Sequence, residues 1–149
     1  LMIAGTGSAK YLKKLNLLID ELDLREAVVF LGMVTGEKKE KLLAESYMLV
    51  LPSFSENFGN VVVESLSQST PVIASFGTPW EVLEERGAGY WVDSSVHSLA
   101  ESIERLLSLD QEEYNLMREN SYELVSDAFD IERNVCVWLD KYNQLYYGS

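Results

Sequence analysis

Short apolar runs alternate with longer stretches in which apolar side chains recur every three or four positions. Five runs read as strands: Leu1 to Ala4, Val28 to Leu31, Met48 to Leu51, Val72 to Ala74 and Tyr90 to Val92. Between the first two, Leu12, Leu15, Leu18, Ile19 and Leu22 share a helical face, which predicts a helix from about Ala9 to Leu22. Further helices fit Glu37 to Glu45, a stretch that starts near Gly59 or Asn60 and stops before Ser67-Gln68-Ser69-Thr70, and Pro79 to Glu85, where proline suits a first turn. Strict alternation through Val92 predicts parallel β-α-β units with right-handed crossovers, whose strands are covered on both faces and therefore nearly all apolar. The predicted fold class is α/β: a doubly wound, Rossmann-like parallel sheet with helices on both faces.

Past Val92 the strand signals stop and three helical patterns follow. They run from about Val96 to Leu109, with Leu99, Ile103, Leu106 and Leu107 inward, then Gln111 to Asp127 and Ile131 to Tyr147. Asp110 and Asp130 are good N-caps for the last two, and Glu113 stands three residues after Asp110 as in a capping box. Without an internal repeat or linker, residues 1–149 read as one domain with extra C-terminal helices. Leu1-Met2-Ile3-Ala4 resembles the middle of a buried strand, so a piece of a longer protein is expected.

Composition narrows the chemistry. A hydrophobic content of 47% suits a packed core, and 24 acidic against 12 basic residues give a formal charge of -12, so no nucleic acid is expected as a partner. No apolar stretch approaches the ~18 residues of a membrane span, and no signal peptide opens the chain; the expectation is a cytoplasmic protein without a transmembrane segment. One cysteine, Cys136, and one histidine, His97, leave almost no material for disulfide, Ser-His or His-metal chemistry, and no metal is expected. His97 lies in a polar helix entry and reads as solvated or capping, while Cys136, between Val135 and Val137, reads as a buried or half-buried thiol. Glu84-Glu85 and Glu112-Glu113 read as solvated faces. Trp80, after Gly77-Thr78-Pro79 at a strand's end, reads first as packing and second as lining a cleft.

The chemistry concentrates between Pro52 and Ser65, where Glu56 and Glu64 bracket a turn centred on Gly59 between an apolar run and a helix. If the helix starts near Gly59, the backbone N–H groups of Phe58, Gly59, Asn60 and Val61 are free to meet an anion at the positive end of the helix dipole. Glu64 lies one turn after Asn60 on the same face. Two ionised carboxylates repel phosphate, so their natural targets are neutral vicinal hydroxyls of a sugar or ribose. On spacing alone, ordinary dipole complementation and turn chemistry explain the same residues equally well.

The order of several pieces resembles the C-terminal half of a GT-B-fold glycosyltransferase, in particular the large retaining family 4. Pro52, Ser53, Glu56, Phe58, Gly59 and Glu64 match its paired glutamates, eight positions apart in a Pro-Ser-x-x-Glu-x-Phe-Gly setting. Gly5-Thr6-Gly7 resembles its Gly-x-Gly loop, Val28 to Gly32 its Val-x-Phe-x-Gly strand end, and Ser69-Thr70-Pro71-Val72-Ile73 its Gly-x-Pro-Val-Ile strand. A glycine-containing loop with Glu81 and a Gly-aromatic-aromatic-Val strand at Gly89 complete the series, which covers essentially the whole chain. The resemblance implies a glycosyltransferase acting on a UDP- or GDP-sugar donor and a glycan or lipid-linked acceptor in polysaccharide biosynthesis, possessing no cofactor. It assigns Glu64 to the donor ribose, Glu56 (the catalytic candidate) with the amides of Phe58, Gly59 and Asn60 to the transferred sugar and diphosphate, and Val61 to the same helix start. Gly32, Met33 and Val34 would lie near the base, and Gly5 and Gly7 would shape the cleft.

Two departures accompany the match. Ser69 replaces the family's glycine, which leaves the φ of that turn open. The family's preceding strand, with the Arg and Lys that neutralise the diphosphate, and its acceptor-binding N-terminal domain are expected upstream of Leu1, so this chain by itself is expected not to catalyse transfer. Tyr142, Tyr146 and Tyr147 are expected to dock on that domain in preference to the core, and the full-length protein to sit at most peripherally on the inner membrane face. The competing readings are an epimerase of the same fold, which lacks this glutamate spacing, and a non-catalytic Rossmann-like nucleotide-binding or interaction module.

Overall fold

A computed structural model describes residues 1–147 and places an element at every predicted run. The order is β1 (Met2–Ala4), α1 (Ala9–Glu21), β2 (Val29–Gly32), α2 (Glu37–Glu45), β3 (Leu49–Leu51), α3 (Asn60–Ser67), β4 (Val72–Ser75), α4 (Val82–Glu85) and β5 (Gly89–Val92). Helices α5 (Val96–Leu107), α6 (Gln111–Ala128) and α7 (Ile131–Tyr147) follow. The main shift in bounds is α4, which starts at Val82 and not at Pro79; Pro79 to Glu81 form its approach, closed by the Leu83 N–H donating to the Trp80 carbonyl at 3.0 Å. No helix among the described residues is long and apolar enough to cross a membrane.

All strand pairs are parallel, as alternation requires, but the strands divide between two sheets where one was predicted. The chain forms two compact units, the first from Leu1 to Lys41 and the second beginning at Leu42, within α2.

In the first unit β1 pairs with β2 through Met2↔Val29 and Ile3↔Phe30, then slips by one residue so that Ala4 faces Gly32. Exposure alternates along both strands, so one face of this sheet is open to solvent, contrary to the expectation of strands covered on both sides. Ser8 caps α1, its Oγ accepting from the Tyr11 N–H at 3.2 Å. Leu12, Leu15 and Ile19 are half-buried, whereas Leu18 and Leu22 are exposed. No residue before Leu43 is fully buried: two short strands offer too narrow a surface to cover a whole helix face.

The second unit holds the core. Its sheet runs β3-β4-β5, and central β4 is buried at all four positions. The period of two sends its side chains to opposite faces. Val72 and Ala74 join Val62, Leu66, Trp80, Leu83, Ala88 and Leu124, while Ile73 joins Tyr90, Leu106 and Tyr114. Leu99 and Ile103 pack on the second cluster as the periodicity predicts, but Leu107 is exposed. The Asp110–Glu113 capping box forms, and the Asp130 carboxylate accepts from the Arg133 N–H at 2.9 Å. Among the described side chains of α7 none joins either cluster: Trp138, Tyr142, Tyr146 and Tyr147 are exposed, and so is Cys136, which overturns the reading of a buried or half-buried thiol.

Candidate functional site

The segment between β3 and α3 is held from behind by the segment between β4 and α4. Ser75 Oγ donates to the Ser53 carbonyl at 2.5 Å, the Glu56 N–H donates to the Gly77 carbonyl at 2.9 Å, and the Trp80 indole N–H donates to the Phe58 carbonyl. The two segments run so close here that a Cβ on Gly77 would overlap the backbone of Ser53 and Phe54. Thr78, buried, secures the holding segment by donating from Oγ1 to the Ser75 carbonyl at 2.7 Å, and the Trp91 indole N–H donates to the Thr78 carbonyl at 3.0 Å. The turn is therefore a fixed object even though Phe54, Glu56 and Asn60 on it are exposed.

Trp80 is 1% exposed. Its ring lies 5.1 Å from that of Phe58 and 5.4 Å from that of Phe129, which is 5.7 Å from Phe58, so three aromatic rings wedge the turn against the core. Trp80 is thus packed in the core and does not line an open cleft. Next to Phe58, Gly59 takes φ 76° and ψ 67°, the left-handed region that strains other residues, and caps α3 with no side chain. A Cβ there would also crowd Leu51 Cδ2 at 3.2 Å and Glu56 Cγ at 3.3 Å. The Gly59 carbonyl accepts the Val62 N–H at 2.8 Å, the first helical bond, which leaves the preceding amides of Asn60 and Val61 without intrahelical acceptors.

Glu64 follows one turn into α3 and is half-buried; Glu56 precedes Gly59 and is exposed. In the second unit the turn amides and the helix start thus lie, in chain order, between the two glutamates. Such a set can hold an anion at the amides and accept hydrogen bonds from hydroxyls at the carboxylates.

The remaining candidates lie in the first unit, at the ends of β1 and β2. Gly5, at φ 126°, donates its N–H to the carbonyl of Gly32, at φ 67°, with a distance of 2.7 Å, so these two glycines meet. Exposed Met33 and half-buried Val34 follow Gly32. Gly7 has no left-handed φ, and a Cβ there would meet Tyr11 at an ordinary 3.5 Å; nothing within the chain requires glycine at that position.

Ser75, Gly77 and Phe129 were missed from sequence. Gly77-Thr78-Pro79 directly after an apolar strand was the available signal, but its target, a neighbouring turn more than twenty residues earlier, is set only by the parallel register of β3 and β4. Near the end of β5, Asp93 accepts from the Ser95 N–H at 2.9 Å, which holds its carboxyl below the usual range, and Ser95 caps α5; His97 is exposed, in keeping with a solvated role.

Residues 1–124 match the family described as glycosyl transferases group 1. An uncharacterized glycosyltransferase of Methanocaldococcus jannaschii is 37% identical over 111 residues, 72% of this chain and 28% of that protein. Among solved structures, a glycosyltransferase from Rickettsia africae superposes with a TM-score of 0.85 at 20% identity, over 99% of this chain and 40% of the other, a likeness of fold. The Anabaena protein HepE in complex with UDP-glucose superposes with a TM-score of 0.76 at 25% identity, over 94% of this chain and 40% of its own. The chain spans well under half the length of these relatives.

Proposed function

Because this chain belongs to the glycosyl transferases group 1 family, we propose that it is the donor-binding part of a glycosyltransferase that moves a sugar from a UDP- or GDP-sugar to a glycan or lipid-linked acceptor with retention of configuration, as in family 4. The observation that carries the reading is the immobilised turn with Glu56 on one side, Glu64 on the other and uncapped helix amides between them. In this reading the amides of Gly59, Asn60 and Val61 meet the diphosphate, where the helix dipole favours negative charge. Glu64 accepts from the ribose hydroxyls, and Glu56 accepts from hydroxyls of the transferred sugar. The division follows from charge: neither carboxylate gains from facing phosphate, and each gains from a neutral diol. HepE, described as a complex with UDP-glucose, supports the choice of ligand class.

Titration calorimetry with UDP and GDP tests the reading. Each charge-assisted hydrogen bond is worth about 1.5–3 kcal/mol, so Glu64→Ala should weaken the bound nucleotide by roughly 10- to 150-fold. Glu64→Gln, which keeps the shape, should fall between the two. Binding unchanged by either substitution would remove Glu64 from the site. A wild type that binds neither nucleotide, even with the strand expected upstream of Leu1 restored, would leave the two glutamates as helix-start carboxylates of a non-catalytic module.

A further inference from the structure

We propose that Trp80 is a positioning residue for the donor phosphates: it acts through the Phe58–Gly59 peptide, whose N–H it aims away from the core. The inference rests on the donor-site reading given above.

The argument starts from the planarity of the peptide bond. The Phe58 carbonyl and the Gly59 N–H belong to one trans peptide unit, so they point in opposite directions. The carbonyl accepts the Trp80 indole N–H, and Trp80 is buried within the cluster of Val62, Leu66 and Leu83. With the carbonyl drawn toward the core, the Gly59 amide faces the other way. That amide belongs to the residue at the N-cap of α3, where the dipole already favours an anion.

Glycine makes this control necessary. Gly59 has no Cβ to bias its backbone, and its φ of 76° and ψ of 67° lie in a region that glycine enters and leaves easily. Rotation of the Phe58–Gly59 peptide would turn the amide inward and leave a buried indole N–H without an acceptor, which a buried donor strongly disfavours. Trp80 therefore selects one of the two peptide orientations before any ligand arrives. Its own place is set by the tie to Leu83 and by the neighbouring ring of Phe129.

The test compares Trp80→Phe, which keeps an aromatic ring and removes the donor, with the wild-type chain. UDP, UMP, GDP and GMP are each titrated into both proteins. If the aimed amide meets the outer phosphate, the wild type prefers the diphosphate of its base, and Trp80→Phe lowers that preference by about tenfold, the worth of a single charge-assisted bond, with monophosphate affinity unchanged. A merely structural role would weaken all ligands alike, and an unaltered diphosphate preference in a folded variant would overturn the proposal while leaving the donor site standing. A wild type that binds none of the four, even with the strand expected upstream of Leu1 restored, would overturn both. Should Trp80→Phe fail to fold, NMR of the wild type decides: the Gly59 amide resonance should shift with UDP or GDP and not with the monophosphate, and an unmoved resonance refutes the role.

Discussion

Ser69 occupies a position built for glycine, and replacing it should make the protein more stable. It follows the last turn of α3 with φ 57°. The Thr70 N–H donates to the Ser65 carbonyl at 3.0 Å and the Ser69 N–H to the Leu66 carbonyl at 2.9 Å, which is the paired pattern of a Schellman helix end. The left-handed conformation costs an L-residue roughly 1–2 kcal/mol. Glycine escapes that cost and loses about 0.5–1 kcal/mol in extra chain entropy on folding. Nothing else is forfeited, because the surrounding bonds use the Ser69 backbone, including its carbonyl, which accepts Arg118 Nε at 3.0 Å. Ser69→Gly should therefore stabilise the second unit by about 0.5–1 kcal/mol, and Ser69→Ala, which keeps the strain, should not. Urea unfolding followed by tryptophan fluorescence measures this in the relevant unit, since Trp80, Trp91 and Trp138 all lie beyond Leu42. A midpoint lowered by Ser69→Gly at constant slope would refute the reasoning.

Four further outcomes follow from the same geometry. Gly59→Ala should destabilise by about 1–2 kcal/mol in the same melt, the reverse of Ser69→Gly, because alanine would adopt the φ of 76° that glycine tolerates. Leu66→Ala, at a fully buried position, should cost about 2–5 kcal/mol. Gly77→Ala should push the Ser53–Phe54 backbone away from its anchor and weaken UDP or GDP binding by calorimetry; unchanged affinity would show that this contact does not hold the turn. Burial holds the Tyr114 phenol above its ordinary range, so the folded state keeps that proton longer than the unfolded chain. Its contribution should be complete below about pH 10 and lost as pH rises through the folded value. In Tyr114→Phe that alkaline loss, read by urea midpoints across pH, should shrink, while neutral-pH stability drops by about 1 kcal/mol with the bond to the Tyr47 carbonyl.

Element type and order were legible because they depend on local periodicity. The helix from Glu37 to Glu45 and the capping box at Asp110 emerge as read, since the residues that build them are neighbours in the chain. Burial was less legible. Leu18, Leu22 and Leu107 have the spacing of inward positions and are exposed, and Cys136 lies bare on α7, because a helical face says what is apolar and not whether another surface covers it. Proline at residue 79 is a sound helix opener, yet the chain spends Pro79 to Glu81 seating Trp80 before α4 begins.

By itself the sequence determined the alternation of parallel strands and helices, the glycine at residue 59 and the two carboxylates on either side of it, because each is a matter of residue type at a fixed spacing. Tertiary structure decided how that turn is held. The parallel register of β3 and β4 brings Ser75, Gly77 and Trp80 behind Ser53, Glu56 and Phe58, and burial turns one indole N–H into a constraint on a peptide 22 residues earlier. It also decided the conformation of Ser69, whose φ is dictated by the helix end it closes and by the Arg118 bond from α6, neither of which serine by its own preference would choose.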